Sequence, residues 1–188
     1  MSYLEELQKA IKSIICTEEV EVSYESMMES FLQLLGERKR RKRTLYFIGN
    51  GGSAAISVHM TSDFLKNGGI RTHSMHDPAV LTCLGNDFSF DEIFSRQLDL
   101  VAEEQDVLVA ISSSGRSQNI LHAVETAKNK GCKIVTLSGF RQDNPLRRMG
   151  DINIYVPSMK YGIVESIHNM ILQQVVDEIV ARDGVGMK

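Results

Sequence analysis

Apolar residues open the chain at helical spacing: Leu4, Leu7, Ile11, Ile14 and Ile15, then Met27, Met28, Phe31, Leu34 and Leu35. This spacing predicts helices over residues 1–43, the last of them ending near Gly36 or a turn beyond it. From Thr44 the pattern changes to short apolar runs that alternate with helical stretches. Strand TLYFI (Thr44–Ile48) leads into a helix near Ser53–Lys66, which Asn67-Gly68-Gly69 ends. A short strand at Arg71–Met75 precedes Asp77-Pro78, an N-cap and first-turn pair for a short helix. Gly85-Asn86-Asp87 is expected to break that helix, and Phe90–Glu104 to resume as another. Strand VLVAI (Val107–Ile111), a helix over Ser117–Lys130, strands KIVTL (Lys133–Leu137) and INIYV (Ile152–Val156), and a long helix over Tyr161–Arg182 follow. VLVAI and KIVTL are nearly continuous apolar runs, as parallel strands buried on both faces require. An open parallel α/β sheet sandwiched by helices is the predicted architecture, with a frayed tail over residues 183–188.

Composition narrows the class without naming a chemistry. At 188 residues the chain suits one globular domain overall, divided here into an N-terminal helical segment (1–43) and the alternating region (44–188). A net charge of -3 argues against a general nucleic-acid binder. Cys16, Cys83 and Cys132 lack CxxC spacing and read as free thiols of a reducing compartment. No apolar stretch approaches a membrane span, and the N-terminus lacks a signal-peptide core. A cytoplasmic location is expected, with no membrane partner. The basic run Arg38-Lys39-Arg40-Arg41-Lys42-Arg43 follows a helix and reads as solvated cations facing the helix dipole. His73, His76 and His122 have no partner spacing and are expected on the surface or in loops.

Two strands run into small-residue turns. TLYFI meets Gly49-Asn50-Gly51-Gly52-Ser53, and VLVAI meets Ser112-Ser113-Ser114-Gly115-Arg116-Ser117. A strand that ends in Gly and Ser and then starts a helix offers unpaired N–H groups, hydroxyls and a positive dipole end to an anion. Two such turns suggest one phosphorylated small molecule between two βα units. Gly49–Ala54 also fits the GxGxxA form of a dinucleotide fingerprint, but Asp77 is better used as a helix cap than on a ribose. No nucleotide cofactor is expected.

The blocks GNGGSAA (Gly49–Ala55), LGNDFSFDEIFSRQL (Leu84–Leu98), ISSSGRS (Ile111–Ser117) and VTLSG (Val135–Gly139) resemble the sugar-isomerase (SIS) domain family, and within it the phosphoheptose isomerases. The resemblance implies a doubly wound five-stranded parallel sheet, a homotetramer, and sugar-phosphate sites at subunit interfaces. It implies that Ser112, Ser113, Ser114 and Ser117 hold the phosphate. Asn50, Gly51, Gly52, Ser53, Asn86 and Asp87 would contact the sugar. Phosphoheptose isomerases are generally zinc enzymes, with His and Glu from the helix after the first loop and Gln and His from the last helix. Here His59 matches, Asp63 replaces Glu, Glu165 replaces Gln, and Gln173 replaces His; His168 matches another histidine usual on that helix.

These replacements have physical content. His59 and Asp63 share one helix face at metal-binding spacing, and Asp withdraws its carboxylate by roughly 1.5 Å relative to Glu. Glu165 and Gln173 lie about 80° apart around a helix, and His168 about 60° from Glu165 on its other side. Zinc held by His59, Asp63 and Glu165 is therefore an expectation, although the loss of an imidazole at position 173 removes a proton shuttle. An aldose–ketose isomerase moves a proton between C1 and C2 and needs a base and a donor to the carbonyl. Glu165 is the leading base, Asp63 the second, and His168 a candidate electrophile. The expected reaction is sedoheptulose 7-phosphate to a heptose 7-phosphate. The alternative is a non-catalytic SIS protein with a regulatory or partner-binding role.

Overall fold

The structure is a computed structural model that describes residues 1–186; the end of the tail expected to fray therefore lies outside the described residues. Its strands are β1 (Ile15–Thr17), β2 (Glu21–Val22), β3 (Leu45–Gly49), β4 (Thr72–Ser74), β5 (Val107–Ser112), β6 (Lys133–Ser138) and β7 (Ile152–Tyr155). Its α-helices are α1 (Tyr3–Lys12), α2 (Tyr24–Arg40), α3 (Gly52–Lys66), α4 (Pro78–Asp87), α5 (Ser95–Val101), α6 (Gln118–Asn129) and α7 (Tyr161–Asp183). No helix among the described residues is long and apolar enough to cross a membrane.

The expected five-stranded, doubly wound parallel sheet is corrected. The sheet has 7 strands in the order β2-β1-β7-β6-β5-β3-β4 and is mixed. β4, β3, β5, β6 and β7 pair in parallel. β1 runs antiparallel to β7, with Cys16 opposite Ile154, and β2 returns antiparallel to β1. This hairpin lies in the segment expected to be all helix. Ile14 and Ile15 continue the apolar spacing of α1, but Ser13 caps that helix and the β-branched Ile15 and Thr17 extend into a strand. A strand this short carries too few alternations to register as one, yet it covers an edge of β7 that would otherwise be unpaired. Two further boundaries differ. α4 continues through Gly85 to Asp87, and Phe90–Glu104 divides into a 3₁₀ turn at Phe90–Glu92 followed by α5.

Each central strand feeds two cores, which is why its sequence is apolar throughout. Leu45 and Phe47 of β3, and Val107, Val109 and Ile111 of β5, join a layer with Phe31 of α2, Phe64 of α3 and Ile171 of α7. Tyr46 and Ile48, and Leu108 and Ala110, point the other way, toward Phe94, Leu98 of α5 and Val124 of α6. The buried Asp106 ties the starts of β3 and β5, accepting from the Thr44 N–H at 2.8 Å and the Glu103 N–H at 2.9 Å. The tail packs back as far as Gly186, whose N–H donates to the Asn67 carbonyl at 2.7 Å. The basic run is only partly the solvated feature expected of it. Lys39 pairs with Asp183 and Arg43 with Glu103, while Arg38 is buried on α2.

His168 of α7 is fully buried under β6, and its Nε2 lies 3.1 Å from the Ser138 carbonyl. A carbonyl only accepts, so Nε2 carries the proton and Nδ1, which has no partner among the described residues, is bare. Burial pushes this imidazole down to about 4. The unfolded chain takes up a proton here near pH 6.5, whereas the folded chain stays neutral until about pH 4. This group therefore leaves stability flat above pH 6.5 and withdraws on the order of 3 kcal/mol as pH falls through that window. Urea unfolding at pH 7 and pH 4.5 should show a smaller acid loss for His168→Gln than for the unsubstituted protein. Equal losses would remove His168 from the account.

Candidate active site

The site follows from where the chain turns. β3 and β5 lie side by side in parallel, with Gly49 opposite Ile111, so both end at one edge of the sheet. From there α3 returns on the layer that contains α7, and α6 returns on the opposite layer. The two loops diverge and open a crevice at the strands' carboxyl ends, the topological switch point of such a sheet. A reciprocal amide pair ties the loops together: the Asn50 Nδ2 donates to the Asn119 Oδ1, and the Asn119 Nδ2 to the Asn50 Oδ1, each at 2.9 Å.

Two glycines in the first loop are dictated by geometry. Gly51 has φ 55°, a left-handed conformation that suits glycine. At Gly52 an added Cβ would run into the Glu165 carboxylate. α3 thus starts directly against the second turn of α7, and Glu165 faces the positive end of α3.

The cavity between the loops measures about 250 Å³ and brings together Asn50, Gly51, Gly52 and Ser53 with Ser112, Ser113, Ser114 and Ser117. Glu165 is the carboxylate among its lining residues, and Tyr161 their aromatic ring. α1, α2 and α4 have side-chain caps from Ser2, Ser23 and Asp77, whereas α3 and α6 start without one. The Ser53 and Ala54 N–H groups already donate to the Asn50 and Gly51 carbonyls, and those of Ile120 and Leu121 to the Ser117 carbonyl, which leaves the N–H groups of Gly52, Gln118 and Asn119 for an anion. Among the described residues the buried Ser113 hydroxyl has no partner, and a buried polar atom in that state calls for one. Ser112 and Ser117 hydroxyls lie 3.4 Å apart, and the Ser112 hydroxyl accepts from the Gly115 N–H.

Other expected residues lie elsewhere. Asn86 and Asp87 are exposed in the last turn of α4, hydrogen-bonded to each other at 2.9 Å, outside this chain's own cavity. His168 is buried behind β6 and does not line the cavity. His59 and Asp63 meet Gln173: its Nε2 donates to the His59 Nε2 at 2.9 Å and to the Asp63 Oδ2 at 2.8 Å.

That arrangement overturns the expected zinc site. Among the described residues no group of three or more His, Cys, Asp or Glu side chains could hold a metal ion. His59 and Asp63 make two donors, and the amide of Gln173 spends both its hydrogens between them. Glu165 cannot complete the set, because it abuts Gly52, seven residues or ~10 Å along α3 from His59. Replacing His by Gln at position 173 therefore substitutes a hydrogen-bonded tie for a ligand.

The sequence reading missed three residues. Asn119 stands in the first turn after ISSSGRS, a place where a polar side chain faces the loop edge. Tyr161 lies one helical turn before Glu165, which puts it on the same face. His76 lies in a loop, as expected, but half-buried and engaged there, with Nε2 2.9 Å from the Gly49 carbonyl and Nδ1 2.9 Å from the Ser74 hydroxyl. Burial lowers its pKa from the ordinary histidine value. Its position just past β4, at the same sheet edge as both loops, was the available signal.

A sequence model of the SIS domain matches residues 3–139. The phosphoheptose isomerase of Geobacter sulfurreducens is 35% identical over 159 residues, covering 81% of this chain and 84% of that protein. Among solved structures, the phosphoheptose isomerase of Neisseria gonorrhoeae superposes with a TM-score of 0.79 at 24% identity, covering 95% of this chain and 92% of that one. That of Francisella tularensis gives 0.75 at 25% identity, covering 95% and 98%. The motif order, the crevice between two small-residue turns and these likenesses converge: the chain belongs to the SIS-domain family, in its phosphoheptose isomerase branch.

Proposed function

We propose that the protein interconverts a ketose phosphate and an aldose phosphate, with sedoheptulose 7-phosphate and a heptose 7-phosphate as the pair. The observation that carries this reading is the Glu165 carboxylate, set against Gly52 in the same cavity as the partnerless Ser113 hydroxyl. Ser112, Ser113, Ser114, Ser117 and the start of α6 receive the phosphate through hydroxyls and N–H groups. Asn50, Gly51, Gly52 and Ser53 line the path of the sugar toward Glu165.

Glu165 takes a proton from C1 of the ketose. The C1–H electron pair forms the C1=C2 bond of an enediol(ate), and the former carbonyl oxygen gains negative charge. The Gly52 N–H at the start of α3 and the Ser53 hydroxyl stabilise that oxygen. Return of that proton from Glu165 to C2, with the O1 proton passing to O2 as the C1=O1 bond forms, gives the aldose. Asp63, the second candidate base, is engaged by Gln173 and stands far along α3 from the loops. The neutral, buried His168 positions the Ser138 carbonyl instead of donating to substrate.

A homotetramer with sites at subunit interfaces belongs to the same reading. α4 buries none of its residues within one chain, leaving Val80 and the following Phe88 and Phe90 exposed beside Asn86 and Asp87. A neighbouring subunit set against this face would bring those two polar residues to a sugar. Cytoplasmic location is supported by Cys16 and Cys132, free thiols that burial pushes up to about 12 and about 11. The second reading, a non-catalytic phosphosugar-binding protein, is favoured by one observation, the Gln173 tie at the positions where the family resemblance had implied a zinc set.

Turnover of sedoheptulose 7-phosphate separates the two. Glu165→Gln should lower kcat by about 10²–10⁴-fold while phosphosugar binding persists; binding without turnover in the unsubstituted protein would leave the second reading. Ser113→Ala should weaken phosphosugar binding by about 10-fold, as for a hydrogen bond to a charged group, and unchanged affinity would take Ser113 out of the cradle. Overnight chelation followed by assay should leave kcat within twofold. A loss restored by added zinc would contradict the assignment of His59, Asp63 and Gln173.

A further inference from the structure

We propose that Tyr161 is a specificity-determining contact that recognises the carbon chain of the sugar, as distinct from its phosphate. The inference rests on the phosphosugar reading of the cavity and adds a residue to it.

The cavity is otherwise lined by groups suited to hydroxyls and anions: serine hydroxyls, the Asn50 amide, glycine backbone and the Glu165 carboxylate. A sugar phosphate also presents C–H surface, which such groups cannot cover well, and small-molecule sites normally pair a few polar groups with aromatic or apolar walls. Tyr161 supplies the one aromatic wall among the lining residues. It is the first residue of α7 and stands one turn before Glu165, so ring and carboxylate share a helix face.

The ring is held in place but not buried. It makes a T-shaped pair with the Phe140 ring, centroids 4.7 Å apart and planes at 82°. Phe140 is itself fixed: its N–H donates to the Ser158 carbonyl at 3.0 Å, and its carbonyl accepts from the Tyr155 hydroxyl at 2.8 Å. It has φ 57°, a left-handed conformation uncommon for a bulky residue and found where surrounding contacts enforce it. Despite this support Tyr161 remains 62% exposed. A ring that merely filled the core would be covered; this one is braced from behind and open toward the cavity. A preorganised aromatic loses little freedom on binding, which favours recognition.

Calorimetry with two probes, inorganic phosphate and sedoheptulose 7-phosphate, tests this on the unsubstituted protein, Tyr161→Phe and Tyr161→Ala. The unsubstituted protein should bind the phosphosugar more tightly than inorganic phosphate. Tyr161→Ala should weaken the phosphosugar by about 3- to 10-fold, while inorganic phosphate changes less than twofold. Tyr161→Phe should retain most of the phosphosugar affinity, since the ring face is kept. In turnover, Tyr161→Ala should raise KM with kcat nearly constant. Equal weakening of both probes would mean that the ring only supports the loops, and no weakening of either would mean that it touches nothing; each overturns the proposal. A change in assembly size by analytical ultracentrifugation, with phosphosugar affinity restored at high protein concentration, would place Tyr161 in a subunit contact and also overturn it. The binding comparison does not require catalysis: selective loss of the phosphosugar in a protein without turnover would keep the contact and remove the isomerase reading.

Discussion

The parallel pairing of β3 with β5, followed by helices that leave for opposite layers, is the constraint on which the rest of the site depends. It sets two small-residue loops side by side and then forces them apart, so a crevice opens without a dedicated pocket-forming insertion. The reciprocal Asn50–Asn119 pair fixes how far apart they stand. Below them, both strands are buried on both faces, and Asp106 anchors their starts. A rigid sheet thus presents backbone N–H groups and hydroxyls in fixed directions, which suits a dianion better than flexible lysines would.

Charge placement follows from the same geometry. Among the described residues no Lys or Arg lines the cavity, so an anion entering it would meet helix starts and serine hydroxyls instead. Glu165 adds negative charge close to that anion site, a combination that is tolerable because the carboxylate faces the start of α3. The absence of a side chain at Gly52 lets it approach. Farther along the same two helices, Gln173 joins His59 and Asp63 with hydrogen bonds. α3 and α7 are therefore held together at two heights by different chemistry: close packing of a carboxylate on a glycine, and an amide bridge.

The strands and loops were legible in the sequence because they obey local rules. Runs such as VLVAI announce burial on both faces, and Gly or Ser at strand ends announces a cradle. The β1–β2 hairpin was not legible, since Ile15-Cys16-Thr17 is too short to show alternation and continues the apolar spacing of α1. The cavity residues on the two loops were identified from motif order. The metal set was misjudged because spacing on one helix face gives direction but not height, and Glu165 and His59 sit at different heights along α3. His168 was misplaced for a related reason: an angular position near Glu165 did not reveal that β6 covers it. Tyr161 has no motif and could be found only once the walls of the cavity were assembled.

The central claim is that the carboxylate of Glu165 works in contact with the backbone at Gly52, beside a separate phosphate cradle. Gly52→Ala tests it most directly, because the new Cβ displaces that carboxylate and leaves the serine loop untouched. Measured together, kcat with sedoheptulose 7-phosphate should fall by at least about tenfold, one pKa-unit-sized change in barrier, while inorganic phosphate affinity stays within twofold. Undiminished kcat with the methyl group in place would contradict the account.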